Sequence, residues 1–241
     1  MEESRRSVIG GARNAPAARL SGARPVRPAT GAPGPREPVW YAAYGSNMHA
    51  DRLACYLAGG RPAGGARSYP GCRDRRPPRR TVPALLPGLL YFAGESLVWG
   101  GGTGCYDPAQ DGELPARAYL VTVRQFSDIA AQEMHRQPGV DLDLTRALAT
   151  GRDRLGPGRY ETLLCPGVID DIPVLTFTAP WALADADLNA PSAGYLRTIA
   201  TGLAEAHGWP PERCADYLAG RPGAAGQWTT RAVLAALRPE A

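Results

Sequence analysis

The pattern of apolar and polar positions sorts the chain into elements. Val39-Trp40-Tyr41-Ala42-Ala43 is a short apolar run that predicts a strand. Leu53, Ala54 and Leu57 then recur at helical spacing, predicting a helix from His49 to Ala58. Between them lies Tyr44-Gly45-Ser46-Asn47-Met48, which reads as a tight strand-to-helix turn. Gly45 permits backbone angles closed to other residues, and Ser46 and Asn47 are favoured helix N-caps. Successive N–H groups at the positive end of a helix can hold a carboxylate or a polarised carbonyl. An ordinary capped turn is the structural alternative.

Further along, Leu85 to Ala93 is strand-like and leads to Trp99-Gly100-Gly101-Gly102-Thr103-Gly104. Such glycines let main chain approach something closely, or simply make a turn or bulge. They are not the dinucleotide G-x-G-x-x-G, because no glycine stands at the third place. Asp107 to Gly112 predicts a turn and Ala116 to Thr122 a strand. Thr122 then caps a helix from Val123 to Arg136, in which Phe126, Ile129, Ala130 and Met134 form an apolar stripe. Glu133 completes that stripe, since seven steps at 3.6 residues per turn return to within about 20° of Phe126. A carboxylate on a buried face must be ion-paired or hold its proton, and the second state suits general acid–base chemistry near neutrality. Periodicity leaves both readings open.

Tyr160 to Cys165 and Val168 to Thr178 predict a hairpin turning at Pro166-Gly167. Ser192 caps a helix through Ala206 that Gly208 ends, Pro211 opens another to Ala219, and Thr229 to Leu237 is a short amphipathic helix. Strands and helices mix without a regular βαβ rhythm, which predicts an α+β fold with a small mixed or antiparallel β-barrel and flanking helices.

Composition narrows the chemistry. The chain has 241 residues and a formal charge of +4, and its 27 basic residues are all arginine. That removes phosphate-loop, Schiff-base and general-base lysine mechanisms. Cys55, Cys72, Cys105, Cys165 and Cys214 are scattered without a C-x-x-C pair, which argues against a disulfide framework or a structural zinc site. His49, His135 and His207 form no metal-binding motif. A cysteine nucleophile, Cys105 or Cys72 with His135, is the weakest catalytic alternative. No apolar run is long enough to span a membrane, and residues 1–38 lack the apolar centre of a secretory signal. These residues, rich in Arg, Ala, Pro and Gly, read as a disordered basic tail. Residues 39–241 read as one domain, and the expected location is cytoplasmic. Arginines cluster between Arg67 and Arg80, but the prolines and the lack of interleaved aromatics favour a solvated loop over a nucleic-acid surface.

Four segments, taken in order, resemble the γ-glutamylcyclotransferase-like family, also called AIG2-like. Val39 to Met48 is similar to its strand and Y-G-S-N-[LM] signature. Trp99-Gly100-Gly101-Gly102 resembles its glycine-rich strand region. Gln125 to Glu133 resembles the helix carrying its catalytic glutamate. Pro191-Ser192-Ala193-Gly194-Tyr195 resembles the segment bearing a substrate-contacting tyrosine. The resemblance implies a small-molecule γ-glutamyl substrate and cofactor-free, metal-free release of pyroglutamate. It implies that Glu133 is the acid–base and that Tyr44, Gly45, Ser46, Asn47, Met48, Gly101, Gly102 and Tyr195 bind substrate. Met134, where the family often has glycine, and the arginine- and proline-rich insertion from Gly71 to Arg80 depart from the pattern. Amide hydrolysis or acyl transfer in the same cleft, and a non-catalytic binding module, are the alternatives.

Overall fold

The computed structural model describes residues 16–20, 33–62 and 67–238. Among them a mixed seven-stranded sheet is built from β1 (Ala18–Arg19), β3 (Arg80–Pro87), β6 (Glu113–Thr122), β2 (Pro38–Ala43), β9 (Ile172–Thr178), β8 (Thr162–Ile169) and β7 (Arg152–Arg154), in that spatial order. β4 (Leu89–Ala93) and β5 (Thr103–Asp107) form a separate antiparallel pair. The helices are α1 (Ala50–Ala58), α2 (Val123–Glu133), α3 (Thr145–Thr150), α4 (Ala193–His207), α5 (Pro211–Ala219) and α6 (Thr230–Ala236). The α+β class holds, but the expected barrel does not form: the large sheet is open, with β1 and β7 at its edges.

β2 lies at the centre, antiparallel to β6 and parallel to β9. Val39 through Ala43 are all buried, so both faces of this strand are covered. Thr122 caps α2, as the sequence predicts, and the Gln125 side chain returns the bond to complete a capping box. Ser192 caps α4, and Gly208 ends it in the left-handed region at φ 64°.

Several expectations need correction. The apolar run Leu85 to Ala93 is two strands, broken at Gly88, where φ is +100° and a Cβ would stand 2.2 Å from the Asp107 carbonyl oxygen. The β8–β9 hairpin turns at Asp170 and Asp171, both at positive φ, the backbone that a two-residue turn between twisted strands demands. Pro166-Gly167 instead falls where the register shifts inside β8, a bulge rather than a turn. α3 and β7 carried too short a pattern to be anticipated. Of the expected disordered tail, residues 1–15 and 21–32 lie outside the described residues. Ala18 and Arg19 pair in parallel with Ala84 and Leu85. The carbonyls of Pro35 and Glu37 accept from the Arg124 and Val123 N–H groups. Those parts belong to the domain.

The Arg67–Arg80 cluster is largely engaged. Arg73 binds Asp128, whose side chain is fully buried, and Asp141. Arg76 pairs with Asp74, Arg80 with Asp170, and Arg67 meets the His135 ring. Among the described residues, no helix is long and apolar enough to cross a membrane.

Candidate active-site cleft

At the C-terminal end of β2 the chain enters a 3-10 turn, Ser46–Met48, before α1. Neither Ser46 nor Asn47 caps α1; His49 holds that position without a side-chain bond. The two side chains are thereby released for other contacts. Ser46 Oγ accepts from Arg52 Nε at 2.9 Å, and Asn47 Nδ2 donates to Glu133 Oε1 at 2.8 Å and to the Tyr41 hydroxyl at 3.2 Å. The N–H groups of Ser46 and Asn47 have no acceptor among the described residues, whereas those of Met48 and His49 bond back to Gly45 and Ser46. The turn thus presents two unused donors, the expected state of a helix start.

β6 and α4 hold the turn in place. Tyr119 donates its hydroxyl to the Asn47 carbonyl at 2.9 Å, and Arg117 donates to the Met48 carbonyl at 3.0 Å and to Glu205 at 2.6 Å. α4 can approach because residue 202 is glycine: a Cβ there would sit 2.4 Å from that of Met48.

Two adjoining cavities share Ser46, Glu133, Tyr160 and Tyr195 as walls. Tyr44, Gly45 and Asn47 line the first with Tyr41 and Phe177. Arg52, Trp99, His135 and Arg159 line the second. The sequence-predicted residues Tyr44, Gly45, Ser46, Asn47, Glu133 and Tyr195 therefore come together. Met48 does not: it is fully buried beneath the turn. Gly101 and Gly102 also lie off the cleft walls. Gly102 N–H donates to the Ala190 carbonyl at 2.7 Å, and a Cβ on either glycine would run into the 189–190 main chain. They let the approach to α4 pass close by.

Gly45 has φ −109°, so no left-handed angle is used. Its glycine matters for space: a Cβ would sit 3.1 Å from the Tyr195 hydroxyl. That hydroxyl accepts from Gly104 N–H at 3.2 Å. The Tyr195 ring stacks on Trp99 at 5.5 Å and meets Phe92 edge-on. Burial holds the Tyr41, Tyr44, Tyr160 and Tyr195 phenols well above their ordinary range, so all four stay neutral donors and acceptors.

Glu133 ends α2 half-buried, not fully buried as its place on the stripe implied. The helix stops there, and His135 turns the chain at φ 56°. Among the described residues no arginine forms an ion pair with Glu133, so its ordered partner is Asn47. The Asn47 amide turns its nitrogen toward the accepting oxygen of Glu133. Asn47 Oδ1 is left buried without a partner.

The residues that sequence reasoning missed are Arg52, Trp99, Tyr160 and Arg159. Arg52 lies in the first turn of α1, a position that a helical wheel does not distinguish from any exposed arginine. The cysteines stand apart from the cleft. Burial pushes the Cys72 and Cys105 thiols up to about 12, which leaves them protonated and poor nucleophiles. Among the described residues no group of three or more His, Cys, Asp or Glu side chains could hold a metal ion.

Fold and cleft together define a mixed α+β domain with a polar, tyrosine-walled cavity at the end of a parallel strand pair. No family model matches the chain. It is 30% identical over 198 residues to the Arabidopsis thaliana protein named Histone deacetylase 5, a match covering 75% of this chain and 30% of that protein. The chain thus spans under a third of that relative's length. Two solved structures are similar. An uncharacterized protein from Homo sapiens has 15% identity and TM-score 0.44, covering 77% of this chain and 89% of that one. A structure titled gamma-glutamyl cyclotransferase has 16% identity and TM-score 0.43, covering 83% and 99%.

Proposed function

We propose that the cleft releases pyroglutamate and a free amine from a γ-glutamyl compound, without a cofactor. The observation that supports this most is the Glu133–Asn47 hydrogen bond of 2.8 Å, which joins the end of α2 to the turn after β2 inside one cavity. The reaction needs no protein nucleophile. The substrate's α-amine attacks its own γ-carbonyl carbon, forming the ring C–N bond, and the original amide C–N bond then breaks. Folding the substrate into a ring-closing conformer supplies proximity. Glu133 takes a proton from the α-ammonium and gives it to the departing nitrogen, then takes the second proton from the ring nitrogen and passes it to the released amine, which leaves as its ammonium with the carboxylate restored. The unused N–H groups of Ser46 and Asn47 are suited to the oxyanion that develops on the γ-oxygen. The neutral tyrosines and Trp99 form walls that limit water, which would otherwise compete as nucleophile.

The test is incubation of the protein with a panel of γ-glutamyl peptides, γ-glutamyl amines and glutathione, followed by mass spectrometry. Pyroglutamate together with the free amine is expected from at least one of them. Glutamate in its place would mean hydrolysis in the same cleft, and no conversion would leave a binding module.

A further inference from the structure

Arg52 is the feature of the cleft that this reaction scheme leaves unused. The residue is 5% exposed, and among the described residues it has no carboxylate partner. Its Nε donates to Ser46 Oγ at 2.9 Å and its Nη2 to the Tyr69 hydroxyl at 2.8 Å, while Nη1 has no acceptor among the described residues. Its guanidinium lies 4.8 Å from the Trp99 ring centroid and 5.5 Å from that of Tyr69. Neutral oxygens and aromatic faces thus hold a buried cation in direct contact, while the Glu133 carboxylate acts on it only from a distance, without an ion pair. A buried charge of this kind is costly unless an anion completes it. Arg52 lines the second of the two adjoining cavities, and Arg159 and Arg67 line it too, against the single carboxylate of Glu133.

The opposite charges are organised by two consecutive residues. Ser46 holds Arg52, and Asn47 holds Glu133. Their Cα atoms are about 3.8 Å apart, as in any trans peptide. A cation and an anion presented from neighbouring residues, yet not paired with each other, match a ligand that carries a carboxylate and an ammonium on one carbon. The orphaned acceptor Asn47 Oδ1 adds a second polar atom on the ammonium side.

We propose that Arg52 binds the α-carboxylate of the γ-glutamyl group while Glu133 and Asn47 receive its α-ammonium, so that the turn reads a free α-amino-acid head. This rests on the proposed reaction for the identity of the ligand. Arg52 touches substrate but moves no proton, so it determines specificity and binding.

The test uses probes that cannot cyclise. Glutaric acid monoamide carries the carboxylate and the γ-amide without the amine; glutaramide replaces its carboxylate by a neutral amide. By calorimetry or ligand-observed NMR, the monoamide should bind the unmodified protein about 10-fold to 100-fold more tightly than glutaramide, the range for a hydrogen bond to a charged group. Arg52→Gln should bring the two probes to equal affinity. Arg52→Lys keeps the charge, provides a second variant should the first fail to fold, and should retain part of the preference. On reactive substrates Arg52→Gln should raise KM far more than it lowers kcat. Equal binding of the two probes to the unmodified protein, no saturable binding of either, or an undiminished preference in the variants would overturn the assignment. Arg52-dependent binding without pyroglutamate from any γ-glutamyl compound would instead keep the anion seat and reject the proposed reaction.

Discussion

Replacing Glu133 by Gln separates chemistry from architecture at the centre of the proposed mechanism. The substitution preserves the shape and the acceptor oxygen toward Asn47 while removing the proton that Glu133 would exchange. In the folded protein Glu133 makes one ordered hydrogen bond, 2.8 Å from Asn47 Nδ2, and no ion pair among the described residues. Its side chain is half-buried. The loss is therefore the charge-assisted part of one hydrogen bond, about 1 kcal/mol at most. In a domain of this size that lowers Tm by about 2–4 °C. Turnover should fall by about 100-fold to 10,000-fold, the usual range for a positioned acid–base. Binding should weaken modestly, because Glu133 also meets the α-ammonium. The assay is pyroglutamate release and thermal unfolding on one preparation. A variant that unfolds 10 °C lower yet turns over within about fivefold of the parent would make Glu133 a structural residue, and the reasoning would fail.

Three further outcomes follow from the geometry. Gly104→Ala would place a Cβ 2.7 Å from the Tyr195 hydroxyl, on a ring that Trp99 and Phe92 prevent from retreating; KM should rise strongly, whereas Gly45→Ala, with 3.1 Å of space, should be the milder change, and steady-state kinetics that reverse this order would contradict the placement of Tyr195. Iodoacetamide at pH 8 should leave activity intact, because burial holds Cys72 and Cys105 at about 12 and Cys165 and Cys214 at about 11; the thiolate is the reactive form, a raised pKa keeps it scarce below that pH, and inactivation in step with labelling of Cys72 or Cys105 would count against this reading. Deleting residues 1–36 removes β1, the half-buried Leu20 and the Pro35 acceptor for Arg124 N–H; a loss of about 1–2 kcal/mol, seen as a Tm lower by several degrees, is expected, and an unchanged melting curve would show that these contacts add nothing.

Much of the local structure could be read from the chain because its signals are local. The apolar run from Val39 to Ala43, the Thr122 cap of α2 and the Ser192 and Gly208 boundaries of α4 each depend on residues close to one another in the chain. The meeting of Tyr44 to Asn47 with Glu133 and Tyr195 was legible through the family resemblance, not through any spacing. The tertiary structure decided what depends on distant partners. It placed β9 parallel to β2, moved the hairpin turn to Asp170-Asp171, and left the large sheet open. It also turned Ser46 and Asn47 away from capping duty, because the chain winds into a 3-10 turn pinned by Tyr119 and Arg117. Arg52 shows the division most plainly. In sequence it is one of 27 arginines; its burial among Ser46, Tyr69 and Trp99, with no ion pair among the described residues, arises only when segments tens of residues apart pack around it. Desolvation, which gives that charge its significance, is a property of the assembled core and has no counterpart in the periodicity of a single helix.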